Sequence, residues 1–336
     1  MKAWQIKDQF GLRHLELCDT PKPILKSGEI LLKMQAASLN YRDMVTVEGG
    51  YGKTVKTPLI PCSDGAGVVE QCGPNTSRFN RGDLICPSFF PNWKDGSADP
   101  SKLPDALGGA YGGTLCDYMV VSEDACVKAP AHLNAIEAAT LPCAALTAWS
   151  ALFELSSLKS SDCLVIQGTG GVALFALQLA KAVGATVLIT SSSDEKLERA
   201  RNLGADHLVN YRTHPQWDRE VKKIWSQGAD HIIELGGAQT LEQSIRATRI
   251  GGHISLIGVL SGANTNTIPL PLILMRNIRI QGVTVGSRTA FERMNSFLEK
   301  HQIHPVIDTT FPFEETIAAF KHLTSGKHFG KVCVEF

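Results

Sequence analysis

Two patterns of apolar and polar positions divide the chain. The clearer one begins at Cys163, where a short apolar run to Gln167 leads directly into Gly168-Thr169-Gly170-Gly171. Beyond it Val172, Phe175, Ala176, Leu179, Ala180 and Val183 recur at the spacing of one helix face, Gly184 supplies a stop, and Thr186 to Thr190 reads as a second buried strand. The alternation continues with a helix from Asp194 to Leu203 and a strand from Asp206 to Asn210. A helix from Trp217 to Ser226, a strand from Asp230 to Leu235 and a helix over 239–247 follow. Strands Ile254 to Val259 and Ile278 to Val283 complete it. Strand–helix repetition of this kind predicts an α/β, doubly wound parallel sheet of six strands. Residues 1–125 read differently, as short strand-like runs broken by Gly and Pro (Glu29 to Met34, Gly65 to Glu70, Asp117 to Val121). That predicts a mostly antiparallel, barrel-like domain. A late helix from Pro312 to Phe320 and a strand from Gly330 to Val334 close the chain. The expected organisation is a first domain over 1–126, an inserted nucleotide domain over 127–282, and a return to the first over 283–336.

The glycine turn carries the first chemistry. Gly168 permits the tight turn off the strand, Gly170 lets the backbone approach a pyrophosphate, and Ala173 stands at the third, small position of the dinucleotide fingerprint. Amides at the helix start, from Gly168 and Thr169 through Gly171 and Val172, would face phosphate oxygens with the helix dipole behind them. A glycine triplet alone equally marks a structural turn; the flanking strands and helix favour the dinucleotide. An NAD site places Asp or Glu about 20 residues past the turn, on the ribose hydroxyls. Here stand Thr190, Ser191, Ser192 and Ser193, followed by Lys196. Hydroxyls and a cation suit a 2′-phosphate, so NADP is expected over NAD. The same residues also read as a helix cap, with Ser192 and Glu195 as a capping box and Lys196 in solvent, while Asp194 and Glu195 blur the local charge.

Charge and composition narrow the partners. The 336 residues carry 33 basic and 33 acidic side chains, which argues against nucleic acid or an anionic membrane as partner. Met1-Lys2-Ala3-Trp4 does not open a signal peptide and no long apolar run follows, so a cytoplasmic protein is expected. Nine cysteines lie singly with no C-x-x-C pair, which fits reduced thiols and argues against a structural zinc.

Together these segments resemble the medium-chain dehydrogenase/reductase superfamily, in particular its zinc-independent, quinone-oxidoreductase-like branch. The resemblance runs essentially end to end. It rests on Ala37-Ser38-Leu39-Asn40-Tyr41-Arg42-Asp43, Asp64-Gly65-Ala66-Gly67-Val68-Val69, Arg81-Gly82-Asp83, Ala138-Ala139-Thr140-Leu141-Pro142, Leu146-Thr147-Ala148-Trp149, the glycine turn and Leu203-Gly204-Ala205-Asp206. It implies a Rossmann domain inserted in a GroES-like catalytic domain.

Placing the chain on the pattern of zinc-dependent members puts Asn40, Ser63 and Cys143 at the ligand positions and Asp64 at the accompanying Glu. Asn and Ser are poor zinc ligands, so no catalytic zinc is expected. Phe89 to Gly96 stands where zinc enzymes carry four clustered cysteines and has none. The resemblance also implies roles. Asn40 is placed beside the nicotinamide ribose or the substrate, or caps a turn. Tyr41 either donates its phenol to a carbonyl oxygen or forms a pocket wall, and Asp43 anchors its helix more readily than it does acid–base work. With Asp64 these are the candidate catalytic residues. Thr147, Gly258, Val259, Gly330 and Lys331 are placed around the nicotinamide and the cofactor, and Lys196 and Tyr211 around the adenosine 2′-phosphate and adenine, with Ser191 and Ser192.

Phe89, Phe90 and Trp93, followed by the glycine-rich stretch 108–113, read either as a substrate lid or as packing for a loop. The implied function is hydride transfer from NAD(P)H to a quinone or an activated carbonyl or alkene. A metal-assisted alcohol dehydrogenase and a non-catalytic NADP-binding sensor are the alternatives. A homodimer meeting along residues 277–283 is also implied.

Overall fold

The computed structural model describes residues 1–265 and 268–336, and contacts divide it into two units, Met1–Leu146 with Val285–Phe336, and Thr147–Thr284. In the first unit β1 (Lys2–Ile6) pairs with β2 (Leu15–Asp19). A larger sheet runs β14 (Ile307–Pro312), β15 (Lys331–Glu335), β3 (Glu29–Leu39), β4 (Asp64–Cys72), β5 (Leu84–Pro87), β7 (Cys126–Lys128), with β6 (Tyr118–Ser122) also on β3. Its pairings are antiparallel except β14 with β15. The long β3 serves two cores. Ile30, Leu32 and Met34 pack with Val69, Ile85 and Met119, while Ala37 and Leu39 pack with Leu115, Phe320, Val332 and Val334. Each such Leu or Ile side chain stabilises the fold by about 1.5–3 kcal/mol.

Register positions the chemistry. Ser38 on β3 lies opposite Asp64 at the start of β4 and opposite Cys333 on β15. The residue that ends β3 therefore leaves the sheet between the beginnings of its two neighbours.

Residues 127–146, which the sequence pattern assigns to the nucleotide domain, pack with the first unit. β7 pairs with β5, Cys86 Sγ donates to the Ala138 carbonyl at 3.3 Å, and the Cys143 amide donates to Asp64 Oδ2 at 3.0 Å. The nucleotide unit accordingly begins at Thr147.

That second unit is one parallel sheet in the order β10 (His207–Asn210), β9 (Thr186–Ser191), β8 (Cys163–Gln167), β11 (Ala229–Glu234), β12 (Thr248–Leu256), β13 (Arg279–Gly282). The order reverses beside β8, as in a doubly wound Rossmann sheet. The helix Gly171–Val183 buries Ala173, Leu174, Phe175, Ala176, Leu177, Leu179 and Ala180, a wider surface than one stripe, and ends at Gly184 with φ of 89°. β12 starts six residues before the apolar run at Ile254, and its first half contains Gly251 and Gly252. A Cβ on Gly252 would stand 2.5 Å from Thr248 Cγ2, so that stretch is shaped by close approach and shows no apolar period. Among the described residues no helix is long and apolar enough to cross a membrane.

Candidate functional site

The nucleotide cradle grows from the carboxyl end of β8. Gly168 has φ of 77°, a conformation costing an L-residue about 1–2 kcal/mol, and its amide donates to the Thr190 carbonyl at 2.8 Å. A Cβ there would meet no atom within 4 Å, so the glycine is required by the turn and the space above it is open. Gly170 caps the helix Gly171–Val183, which has no side-chain cap, leaving its first amides available to an anion. Ala173 is fully buried beneath, and Thr169 is buried beside it. These are the features that a diphosphate requires, and the chain's own residues fit it.

Beyond β9, Ser191 is buried, Ser192 and Lys196 are half-buried and Tyr211 is exposed. The cap of the next helix is Ser193, which accepts the Lys196 amide at 3.3 Å; the Ser192–Glu195 capping box is corrected by one residue, because helical backbone begins at Asp194. Asp194 accepts from Asn210 Nδ2 at 2.7 Å. Gly258 follows β12, and a Cβ on it would lie 2.4 Å from the Leu235 carbonyl oxygen; Val259 beside it is exposed, and Thr147 is buried.

A residue that periodicity did not single out organises this end of the sheet. Glu234, fully buried, accepts from Gln167 Nε2 at 2.7 Å, Thr240 Oγ1 at 2.6 Å, the amides of Gly236 and Gly237 at 2.8 and 2.9 Å, and Ser244 Oγ. Gln167 Oε1 in turn accepts the Leu235 and Gly236 amides, both at 3.1 Å. A carboxylate after Ile232-Ile233 in a buried strand, two residues before a Gly-Gly pair, was the available signal.

The first unit contains a separate polar cluster built by the register of β15, β3 and β4. Asn40 (9% exposed), Asp43, Ser63, Asp64 and Lys331 are buried together. Asp43 accepts the Asn40 amide at 2.8 Å, the Ser63 amide at 3.1 Å and Arg42 Nη1 at 3.0 Å; it fastens a helix start and a loop. Arg42 also donates to the Leu107 carbonyl at 2.9 Å. Ser63 Oγ donates to Asp64 Oδ1 at 2.8 Å, and the Cys143 amide, presented by a π-helical stretch at Leu141–Ala145, donates to Oδ2. Desolvation pushes the Asp64 carboxyl up to about 6 despite the pull of Lys331, and it also raises the Cys143 thiol.

Lys331, placed at the cofactor by resemblance, directs its ammonium to the Leu39 carbonyl at 2.7 Å and Asn40 Oδ1 at 2.6 Å. Gly330 has φ of 92°, and a Cβ there would stand 2.2 Å from the Val306 carbonyl oxygen, so it fixes the approach of β15. Tyr41 is 57% exposed.

Phe89 and Phe90 are buried in an edge-to-face pair with centroids 4.6 Å apart, and Arg42 lies over Phe89. Trp93 packs on Phe90 and donates Nε1 to the Gly96 carbonyl at 2.9 Å. This is packing beneath a loop. The glycines at 108 and 113 are likewise fixed: a Cβ on Gly113 would lie 2.2 Å from the Pro61 carbonyl oxygen, and one on Gly108 2.6 Å from Cys62 backbone. Their smallness admits the strand that delivers Ser63 and Asp64. Gly109, Ala110 and Gly112 line a cavity of about 490 Å³ with Gln5, Thr54 and Pro58, and the three aromatics are not part of its wall.

A parallel sheet with a glycine phosphate cradle, joined in one chain to an antiparallel domain with a buried polar cluster, defines a pyridine-nucleotide oxidoreductase. Residues 26–131 match the alcohol dehydrogenase GroES-like domain family and residues 171–300 the zinc-binding dehydrogenase family. A zinc-type alcohol dehydrogenase-like protein of Schizosaccharomyces pombe is 43% identical over 317 residues, covering 93% of this chain and 92% of its own. A crystal structure from Sinorhizobium meliloti 1021, provisionally named an alcohol dehydrogenase, superposes with a TM-score of 0.94 at 42% identity, covering 100% of this chain and 98% of its own. A 2-methylene-furan-3-one reductase of Solanum lycopersicum is 29% identical over 339 residues, covering 99% and 79%. The chain belongs to the medium-chain dehydrogenase/reductase superfamily.

Proposed function

We propose that the protein is an NADPH-dependent reductase that transfers hydride, without a catalytic metal, to a quinone or an activated carbonyl or alkene. The observation that carries this reading is the donor set of the polar cluster. An amide (Asn40), a hydroxyl (Ser63), one carboxyl (Asp64) and a single thiol (Cys143) do not make a tight zinc site, because the first two are poor ligands and only two of the four positions offer a carboxylate or a thiol. A conjugated acceptor tolerates this, because it delocalises the incoming charge itself. NADPH, when bound, supplies the hydride from its dihydronicotinamide ring. The chain's own groups hold and orient: the amides after Gly170 take the diphosphate, and Ser191, Ser192 and Lys196 take the 2′-phosphate. The exposed Tyr41 phenol and the Asn40 amide offer donors to an acceptor oxygen on which charge develops. The reductase name of the Solanum lycopersicum relative supports this reading; the names of the other two support an alcohol dehydrogenase.

The same chain is proposed to act as a homodimer. Among the described residues β13 is hydrogen-bonded on one side only, and the neighbouring helix Leu270–Met275 buries none of its residues, with Leu270, Leu274 and Met275 exposed. An open edge flanked by apolar side chains supports pairing with a second copy.

The test is NADPH oxidation by chelator-treated protein against a panel of quinones, enones and simple ketones. Turnover of the conjugated acceptors is expected. No oxidation with any acceptor, or turnover restored only by stoichiometric zinc, would overturn the proposal.

A further inference from the structure

We propose that the Lys331 ammonium serves as an internal cation that substitutes for a metal ion and keeps divalent metals out of the polar cluster; this rests on the reading of the chain as a metal-independent reductase. Lys331 is 3% exposed, and it donates to two neutral oxygens, the Leu39 carbonyl and Asn40 Oδ1, at 2.7 and 2.6 Å. It is therefore held as a cation is held, by oxygen donors in a site closed to water. Of the positions that resemblance aligns with zinc ligands, Asn40 is bonded to this ammonium directly and Ser63 is reached through Asn40 Nδ2.

Hydrogen bonds give the arrangement a direction. Lys331 can only donate, so Asn40 must present Oδ1 to it and turn Nδ2 away. Nδ2 faces Ser63 Oγ at 3.5 Å, Ser63 Oγ donates to Asp64 Oδ1, and the Cys143 amide closes the other carboxylate oxygen. Along Lys331, Asn40, Ser63 and Asp64 each donor points from the ammonium towards the carboxylate. The one oxygen that Asn40 could lend to a metal is already engaged, and its amide N–H is the face left for an acceptor. Charge counting agrees. The cluster holds two carboxyls, Asp43 and Asp64, and two cations, Arg42, paired with Asp43 at 3.0 Å, and Lys331, so no net negative charge is left to draw in a dication. Lys331 is on this account a positioning residue, acting through Asn40.

The experiment uses the full chain, dialysed against chelator, with cobalt uptake read from its absorption spectrum and zinc uptake by equilibrium dialysis with elemental analysis. Four proteins are compared: wild type; the ligand-restored pair Asn40→Cys with Ser63→His; and that pair carrying Lys331→Gln or Lys331→Arg. Wild type is expected to take up no stoichiometric metal. The pair carrying Lys331→Gln is expected to bind zinc at least about 100-fold more tightly than the pair with Lys331 or Lys331→Arg, because a fixed unit charge a few ångströms from a dication opposes it strongly. Stoichiometric zinc in wild type, or equal affinity in the Lys and Gln backgrounds, would overturn the proposal. Should the ligand-restored pair not fold, Ser63→His alone, carrying Lys331, Lys331→Gln or Lys331→Arg, makes the same comparison: tighter zinc binding confined to Gln supports the internal cation, and equal affinity refutes it. Metal uptake is read without turnover. A metal-free protein that reduces nothing would therefore defeat the reductase reading and leave the internal cation standing.

Discussion

Replacing Asp64 with Asn isolates the free energy of a negative charge held in the interior of the first unit. The carboxyl is fully buried, accepts Ser63 Oγ at 2.8 Å and the Cys143 amide at 3.0 Å, and has Lys331 as its compensating cation. Desolvation nevertheless dominates and lifts its pKa from 3.8 to about 6. The folded protein therefore binds this proton more tightly than the unfolded chain does. Its stabilising contribution is complete below pH 3.8 and is lost as pH rises through about 6. The gap between those values corresponds to about 3 kcal/mol lost by neutral pH. In Asp64→Asn that pH-dependent loss disappears. The amide brings its own penalty, about 1–3 kcal/mol, because one of its two ends faces a donor with a donor, but that penalty does not vary with pH. The informative quantity is the stability of the variant minus that of wild type, from urea unfolding followed by tryptophan fluorescence. It is expected to rise by about 2.5 kcal/mol between about pH 4 and about pH 7.5. A difference that stays flat, or that falls with rising pH, would refute the reasoning and show Asp64 to be stabilised as an anion.

The remaining predictions concern other parts of the chain. His253 is buried with neither ring nitrogen bonded, and burial lowers its pKa to about 4. Its contribution is present above about pH 6.5 and is lost as pH falls through about 4, so His253→Leu is expected to flatten the acid limb of the stability curve over that window, and an unchanged limb would contradict the assignment. Lys196→Ala is expected to reduce the preference for NADPH over NADH, read as a ratio of kcat/KM, by about 10- to 100-fold, the worth of one charged hydrogen bond; an unchanged ratio would remove the 2′-phosphate from this site. Gly258→Ala places a methyl 2.4 Å from the Leu235 carbonyl oxygen, where backbone must yield, at about 1–3 kcal/mol. Its KM for NADPH is expected to rise while that for the acceptor does not, and equal values for wild type and variant would separate this strand end from the nucleotide. Ile280→Lys on the open β13 edge is expected to abolish the proposed dimer in light scattering; a wild type that is already a monomer, or a dimer of unchanged stability in the variant, would refute pairing along this edge.

Local pattern alone determined a large part of this protein. The apolar run Cys163 to Gln167, the glycines after it and the helical spacing to Val183 specify strand, turn and helix because each depends on neighbours within a few residues. The helix start without a side-chain cap after that turn was legible for the same reason. It was the family resemblance, and no local period, that drew attention to Asn40, Asp43 and Asp64. Tertiary structure decided what those groups do. Asn40 and Lys331 are 291 positions apart, and their 2.6 Å contact exists only because β15, β3 and β4 pair in one register, which no local period encodes. The same holds for Gly108 and Gly113, whose smallness answers to the backbone of Pro61 and Cys62 and not to a need for flexibility. Phe89 and Phe90 lie in packing for a comparable reason, since an apolar side chain on a loop is a pocket wall or a core residue according to what arrives from elsewhere. Helices, strands and the phosphate turn follow from interactions between near neighbours. Burial, charge compensation and the direction of a hydrogen bond follow from which distant segments the folded chain brings together.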